Sequence, residues 1–96
     1  MAVRYHPAAR AELRRAARWY ERRRVGLGHA LVDSVIDAEQ RIRENPRSGA
    51  PFRENTRRMF VERFPYGLVY REEGSDILIL AVAHLRRRPD YWRDRE

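Results

Sequence analysis

Cysteine is absent from this sequence of 96 residues, and so is lysine. Without cysteine the chain has neither disulfides nor thiolate zinc sites, and at this length one core must be held by packing alone. Without lysine there is no amine for Schiff-base chemistry, and guanidinium groups stay protonated, so no basic side chain of either kind serves as a proton acceptor. Long hydrophobic runs are missing as well. No apolar stretch approaches the ~18–20 residues of a membrane span, and the first residues lack a signal peptide's apolar core, so a soluble cytoplasmic protein is expected. His6, His29 and His84 are scattered without metal-ligand spacing, and Asp33 and Asp37 have no third carboxylate or histidine beside them. No metal and no cofactor is expected.

What is present is arginine. All 21 basic residues are arginine, against 14 acidic ones, for a formal net charge of +7. Hydrophobic residues at 43% and charged residues at 36% mark a globular chain rather than a disordered one. The positive excess suits an acidic partner, nucleic acid or acidic protein, and does not choose between them.

Ala2 to Tyr5 reads as a short strand, and Pro7 suits a first helical turn, where its missing N–H is no loss. Ala9, Leu13, Ala16, Ala17 and Tyr20 recur at helical spacing up to about Arg24, with Arg10, Arg14, Arg18 and Arg22 on another face. Gly26 and Gly28 supply a break. Leu31, Val35, Ala38 and Ile42 form the stripe of a second helix, which Asn45-Pro46 ends. The two helices should lie antiparallel. Arg47 to about Thr56 reads as a loop, after which the period falls to two: a strand over Arg58–Phe64, a turn at Pro65-Tyr66-Gly67, a strand over Leu68–Glu72, a tight connection, and a strand over Ile77–Ala83. His84 to Glu96 is a basic aromatic tail. The fold expected is α+β in one domain, residues 1–96: an N-terminal strand and an antiparallel helical hairpin packed on one face of a small, mainly antiparallel sheet, completed by a three-stranded C-terminal meander.

The last strand bears on partners. Strict alternation puts Ile77, Ile79, Ala81 and Ala83 on one face and Leu78, Leu80 and Val82 on the other. A strand apolar on both sides belongs mid-sheet with both faces covered, and one helical hairpin covers one face. The second face is shielded either by the tail through Tyr91 and Trp92 or by another polypeptide.

Five segments in this order resemble the RelE/ParE superfamily of toxins from type II toxin–antitoxin pairs. They are HPAARAELRRAARWYE at His6–Glu21, VGLGHALVDSV at Val25–Val35, ENPRSGAP at Glu44–Pro51, RFPYGLVYR at Arg63–Arg71 and AVAHLRRRPDYW at Ala81–Trp92. The sequence looks most like the ParE-like, plasmid-stabilisation branch. The resemblance implies a growth-arresting toxin held inactive by a cognate antitoxin, whose disordered acidic C-terminal segment folds as it wraps the toxin. Operator DNA would be bound only through the antitoxin.

For the target, the resemblance implies two mechanisms. ParE-like members trap DNA gyrase in its cleaved complex with DNA, which needs a basic and aromatic surface and no catalytic constellation. RelE-like members cleave ribosome-bound mRNA, which needs charge stabilisation and proton transfer. Carried over by position, a nuclease would use His84, Arg86, Arg87 and Tyr91. Gly67, in Tyr66-Gly67-Leu68-Val69-Tyr70, stands where the nucleases carry an arginine, with Arg58 or Arg63 as replacement cations, so gyrase poisoning is preferred. The expected target-binding residues are Arg63, Tyr66, Tyr70, His84, Arg86, Arg87, Arg88, Tyr91 and Trp92. The expected antitoxin-binding residues are Trp19, Tyr20, Met59, Phe60 and Phe64, although Trp19 and Tyr20 equally suit core packing. Glu12 and Glu21 are expected to pair with nearby arginines such as Arg15 or Arg18.

Overall fold

The computed structural model describes residues 1–96. Strand β1 (Val3–Tyr5) leads into helix α1 (Pro7–Arg23), and α2 (Leu27–Glu44) returns beside it. Strands β2 (Ala50–Pro51), β3 (Arg57–Phe60), β4 (Tyr66–Glu73) and β5 (Asp76–His84) follow, with a single 3-10 turn at Arg53–Asn55. They form one five-stranded sheet in the order β1-β5-β4-β3-β2, in which only the β1–β5 pair is parallel. The expected α+β architecture is the observed one.

Local chemistry sets the helix ends. His6 Nδ1 accepts from the Ala8 N–H at 3.0 Å, capping α1 ahead of Pro7. Glu21 has no arginine partner. Its carboxylate accepts from the Gly26 and Gly28 N–H groups at 2.8 and 3.0 Å, capping α2 from the preceding helix. Those two bonds hold its carboxyl below the usual range. Gly26, at φ +90°, makes the turn. Gly28 is not part of the break but lies inside α2, where an added Cβ would stand 2.3 Å from the Ala17 carbonyl oxygen. The hairpin closes on that missing methyl.

Several sequence-based boundaries shift. The loop after α2 contains β2, paired with β3 at Ala50–Arg58 and Pro51–Arg57. β3 stops at Phe60, and the turn falls ahead of Pro65 with Arg63 at φ +77°, so Tyr66 and Gly67 belong to β4. In the β4–β5 ladder Val69 faces Ala81 while Tyr70 faces Ile79, leaving Leu80 as the extra residue of a bulge. Strict alternation therefore fails. Ile77, Ile79 and Val82 pack on the helix side with Leu31, Val35, Ile42 and Leu68; Leu78, Leu80 and Ala81 pack on the opposite side with Val69.

That opposite face is roofed by the chain's own tail. Trp92 is buried on it, with Phe52 and Tyr91 alongside, and every residue from Ile77 to Val82 is at most 3% exposed. Of the two possible covers for the second face, the tail is the one that packs there.

The tail is anchored by a buried ion pair. β1 accompanies β5 only to Ile79; beyond it, the Val82 N–H donates to Glu12 Oε1 at 3.0 Å and the Leu80 carbonyl accepts from Arg95 at 2.9 Å. Arg95 also donates twice to the Glu12 carboxylate, at 2.9 and 3.0 Å, and the Tyr91 hydroxyl donates to it at 2.8 Å. Glu12 thus pairs not with Arg15 or Arg18 but with a residue from the far end of the chain. Side chains complete the strand edge at the bulge, where backbone groups would otherwise be buried without partners.

Candidate functional site

The start of β4, the end of β5 and the middle of α1 meet at one end of the sheet. There Arg15, Trp19, Tyr20, Tyr66, His84 and Arg87 line an open cleft of about 380 Å³, with Glu12 at its floor. The rings stack edge-on in series. Trp19 and Tyr20 lie 4.9 Å apart between centroids, Tyr20 and Tyr66 6.4 Å, and Tyr66 and His84 5.2 Å. His84 Nδ1 accepts from the Arg86 N–H at 3.1 Å, so in the neutral ring the proton sits on Nε2. Burial, with Tyr20 and Glu12 nearby, pushes the Tyr66 hydroxyl above its ordinary pKa.

The tail arginines leave this end exposed and cationic. Arg87 stacks over the Tyr91 ring at 3.9 Å, with Arg95 against the same ring at 5.1 Å. On β3, the stem of Arg58 lies over Gly67, where an added Cβ would stand 3.0 Å from the Arg58 Cγ. Its guanidinium stacks on Phe52 at 4.2 Å and Phe60 at 4.8 Å. The missing side chain at Gly67 is therefore space taken by another arginine. Ion pairs engage Arg4, Arg43, Arg71, Arg93 and Arg95 elsewhere, whereas Arg15, Arg58, Arg63, Arg86, Arg87 and Arg88 have no carboxylate within salt-bridge distance.

Of the residues expected to bind a target, Tyr66, His84 and Arg87 converge on the cleft. Arg86 and Arg88 are exposed beside it, and Arg63 is exposed in the β3–β4 turn. Two others are corrected. Tyr70 is fully buried; its hydroxyl donates to the Pro46 carbonyl at 2.7 Å and accepts from the Gly49 N–H at 3.0 Å, pinning the loop after α2. Trp92 is the roof described above. Tyr91 is half-buried and its hydroxyl is committed to Glu12; burial, then that hydrogen bond, push its pKa up and remove it as a ready proton donor.

Among the expected antitoxin contacts, Met59 and Phe64 are corrected in the same way, each being 7% exposed in the helix-side core. Trp19 and Phe60 are 47% and 49% exposed, and Tyr20 is half-buried in the cleft. Sequence reasoning named Arg58 only as a replacement cation, missed Arg15 at the site, and missed that Glu12 and Arg95 pair beneath it. Glu12 had a visible signal: it lies between Ala9 and Ala16 on the apolar stripe of α1, where a carboxylate must find a partner.

The fold is thus a two-helix hairpin on a sheet with a lone parallel edge strand, ending in an arginine-rich surface. The family model for the ParE toxin of the type II toxin-antitoxin system, parDE, matches residues 3–89, and the chain belongs to that family. A solved structure titled "Chromosomal ParDE TA system from P. aeruginosa" has a chain with the same fold. The match has a TM-score of 0.76 at 19% identity and covers 88% of this chain and 95% of that one. No curated protein sequence matches. Membership of a two-component family implies an antitoxin partner. Neither helix is long and apolar enough to cross a membrane.

Proposed function

We propose that this chain, acting as one toxin domain, arrests growth when its cognate antitoxin is absent, and does so by holding DNA gyrase in its cleaved complex with DNA. The observation that carries the reading is the end of the sheet, where unpaired guanidiniums surround aromatic rings while the Tyr91 hydroxyl is tied to Glu12. Such a surface is equipped to bind. A nuclease using Tyr91 would need that hydroxyl released from Glu12, which leaves His84 as the proton-transfer group in the cleft. The antitoxin docks on the apolar groups left outside the core: Trp19, Val25 and Ile36 on the hairpin and Phe60 on β3, which are 47–89% exposed. Its acidic C-terminal segment finds the arginines around them.

Induced expression without the antitoxin is expected to stop colony formation. In a gyrase supercoiling assay the purified chain is expected to accumulate cleaved DNA. Replacing Arg86, Arg87 and Arg88 together with alanine should abolish that accumulation while antitoxin binding remains measurable. Intact DNA, together with mRNA cut in ribosome-bound reactions, would assign the chain to the RelE-type nucleases instead.

A further inference from the structure

We infer that Arg58, Arg87 and Arg88 form a shelf that binds the phosphate backbone of duplex DNA directly, without help from the antitoxin. The inference builds on the gyrase reading, in which the toxin meets DNA, and gives that DNA a place on the chain. Three observations support it. The three arginines line one small cleft with Phe52, His84 and Trp92, brought together from β3 and the tail. None of them has a carboxylate partner, although six arginine–carboxylate pairs form elsewhere. Two of them lie over rings, Arg58 over Phe52 and Phe60 and Arg87 over Tyr91, which restricts the guanidinium forks before any ligand arrives.

The geometry selects among polyanions. A guanidinium stacked by its face leaves its N–H edge free, and two parallel N–H donors match a phosphate or a carboxylate. Single-stranded nucleic acid relies on bare rings on which bases stack, and here the rings of Phe52 and Tyr91 are already covered by guanidiniums. An acidic peptide needs apolar anchors beside its carboxylates; Phe60 against Arg58 and Leu85 in the cleft are half-exposed, so it is the competitor the test must exclude. A duplex backbone needs neither; it asks only for cations at fixed positions.

The test is fluorescence anisotropy of a labelled 20-base-pair duplex titrated with the full chain, with no gyrase present, across sodium chloride concentrations. Three phosphate contacts predict a slope of log K against log salt of about −2.7, or roughly a 40-fold loss between 50 and 200 mM. Arg58→Gln/Arg87→Gln/Arg88→Gln should flatten that slope to near zero. Arg14→Gln/Arg22→Gln/Arg24→Gln, which removes equal charge from α1 and the residue after it, should leave it unchanged. If circular dichroism shows the shelf variant unfolded, Arg87→Gln/Arg88→Gln replaces it, with a slope expected near −0.9. Equal losses in the shelf and control variants would overturn the shelf in favour of diffuse charge. Polyglutamate competing as well as unlabelled duplex would overturn it in favour of an acidic protein ligand. A shelf variant that loses DNA binding yet still accumulates gyrase-cleaved DNA removes the shelf from the mechanism and leaves the gyrase reading standing. Normal DNA binding with no cleaved complex does the reverse.

Discussion

Glu12→Ala is expected to be among the most damaging single substitutions in this protein. It removes the acceptor of four hydrogen bonds: one from the Val82 N–H, one from the Tyr91 hydroxyl and two from Arg95. The Glu12 and Arg95 side chains are only 6% and 18% exposed, so water does not readily take over. Breaking a buried pair by removing one partner costs about 3–5 kcal/mol, because the remaining charge stays buried without compensation. A chain of this length has a total stability of roughly 5–14 kcal/mol, so the loss is a large share of it. Near the midpoint each kcal/mol moves Tm by about 4–8 °C in a domain this small, so the drop should be at least ~12 °C. Glu12→Gln should cost less, since its amide oxygen still accepts from Val82 while Arg95 loses its counter-charge. Arg95→Ala should fall between, and combined with Glu12→Ala it should add little, because the two act as one unit. Thermal melts by circular dichroism provide the measurement. A shift under ~4 °C for Glu12→Ala would place the pair among surface ion pairs worth at most about 1 kcal/mol, and the anchoring of the tail would need another cause.

Gly28→Ala tests the hairpin contact by its sign. At an unstrained site this change stabilises by about 0.4–1 kcal/mol. Here the new methyl would stand 2.3 Å from the Ala17 carbonyl oxygen, and overpacking of that kind costs about 1–3 kcal/mol, so Tm should fall; a rise would refute the close approach. The tyrosines make a pH prediction. Burial raises Tyr5, Tyr66, Tyr70 and Tyr91, with Glu39 adding to the effect at Tyr5 and Glu12 at Tyr91. Unfolded tyrosine titrates at about 10, so the stability linked to these groups is fully present below that pH and lost as pH rises above it. Absorbance at 295 nm should show most phenolate appearing only with alkaline unfolding. Reversible ionisation of all five tyrosines near pH 10 in the folded chain would contradict the burial.

The helices were legible because composition and position agree. Pro7 opens α1, Asn45-Pro46 closes α2, and Ala9, Ala16, Leu31, Val35, Ala38 and Ile42 are all buried on the stripes their spacing predicted. The bulge at Leu80 was not legible, because a strand apolar on both faces looks the same after a one-residue slip. Pro65-Tyr66-Gly67 carries a turn signal, yet Gly67 sits in a strand to leave room for the Arg58 stem, a contact between strands that no local pattern encodes. The site was half legible. Arg86 to Arg88 and His84 stood out as a run beyond an apolar strand, but Arg15 and Arg58 join them only through folding. Tyr70 read as a surface aromatic, and Trp92 read equally as a binding ring or a roof, because nothing local distinguishes a ring that binds a partner from one that seals its own sheet.

The tail joins stability to function. Arg87 rests on Tyr91, Tyr91 is hydrogen-bonded to Glu12, and Glu12 holds Arg95, so the position of an exposed guanidinium is fixed by a buried carboxylate. Trp92 next to Tyr91 fixes the same segment from the other side of the sheet. The arginines after His84 are thus carried on a loop tied at both ends, which limits the entropy lost when they meet a ligand. It follows that loss of toxicity on substituting Glu12 is not evidence of a catalytic carboxylate. The proton-transfer role and the anchoring role separate at Tyr91→Phe. That change deletes the hydroxyl but keeps the ring beneath Arg87, so a binding toxin should retain most of its potency at temperatures where the variant stays folded. A nuclease using that hydroxyl would lose it.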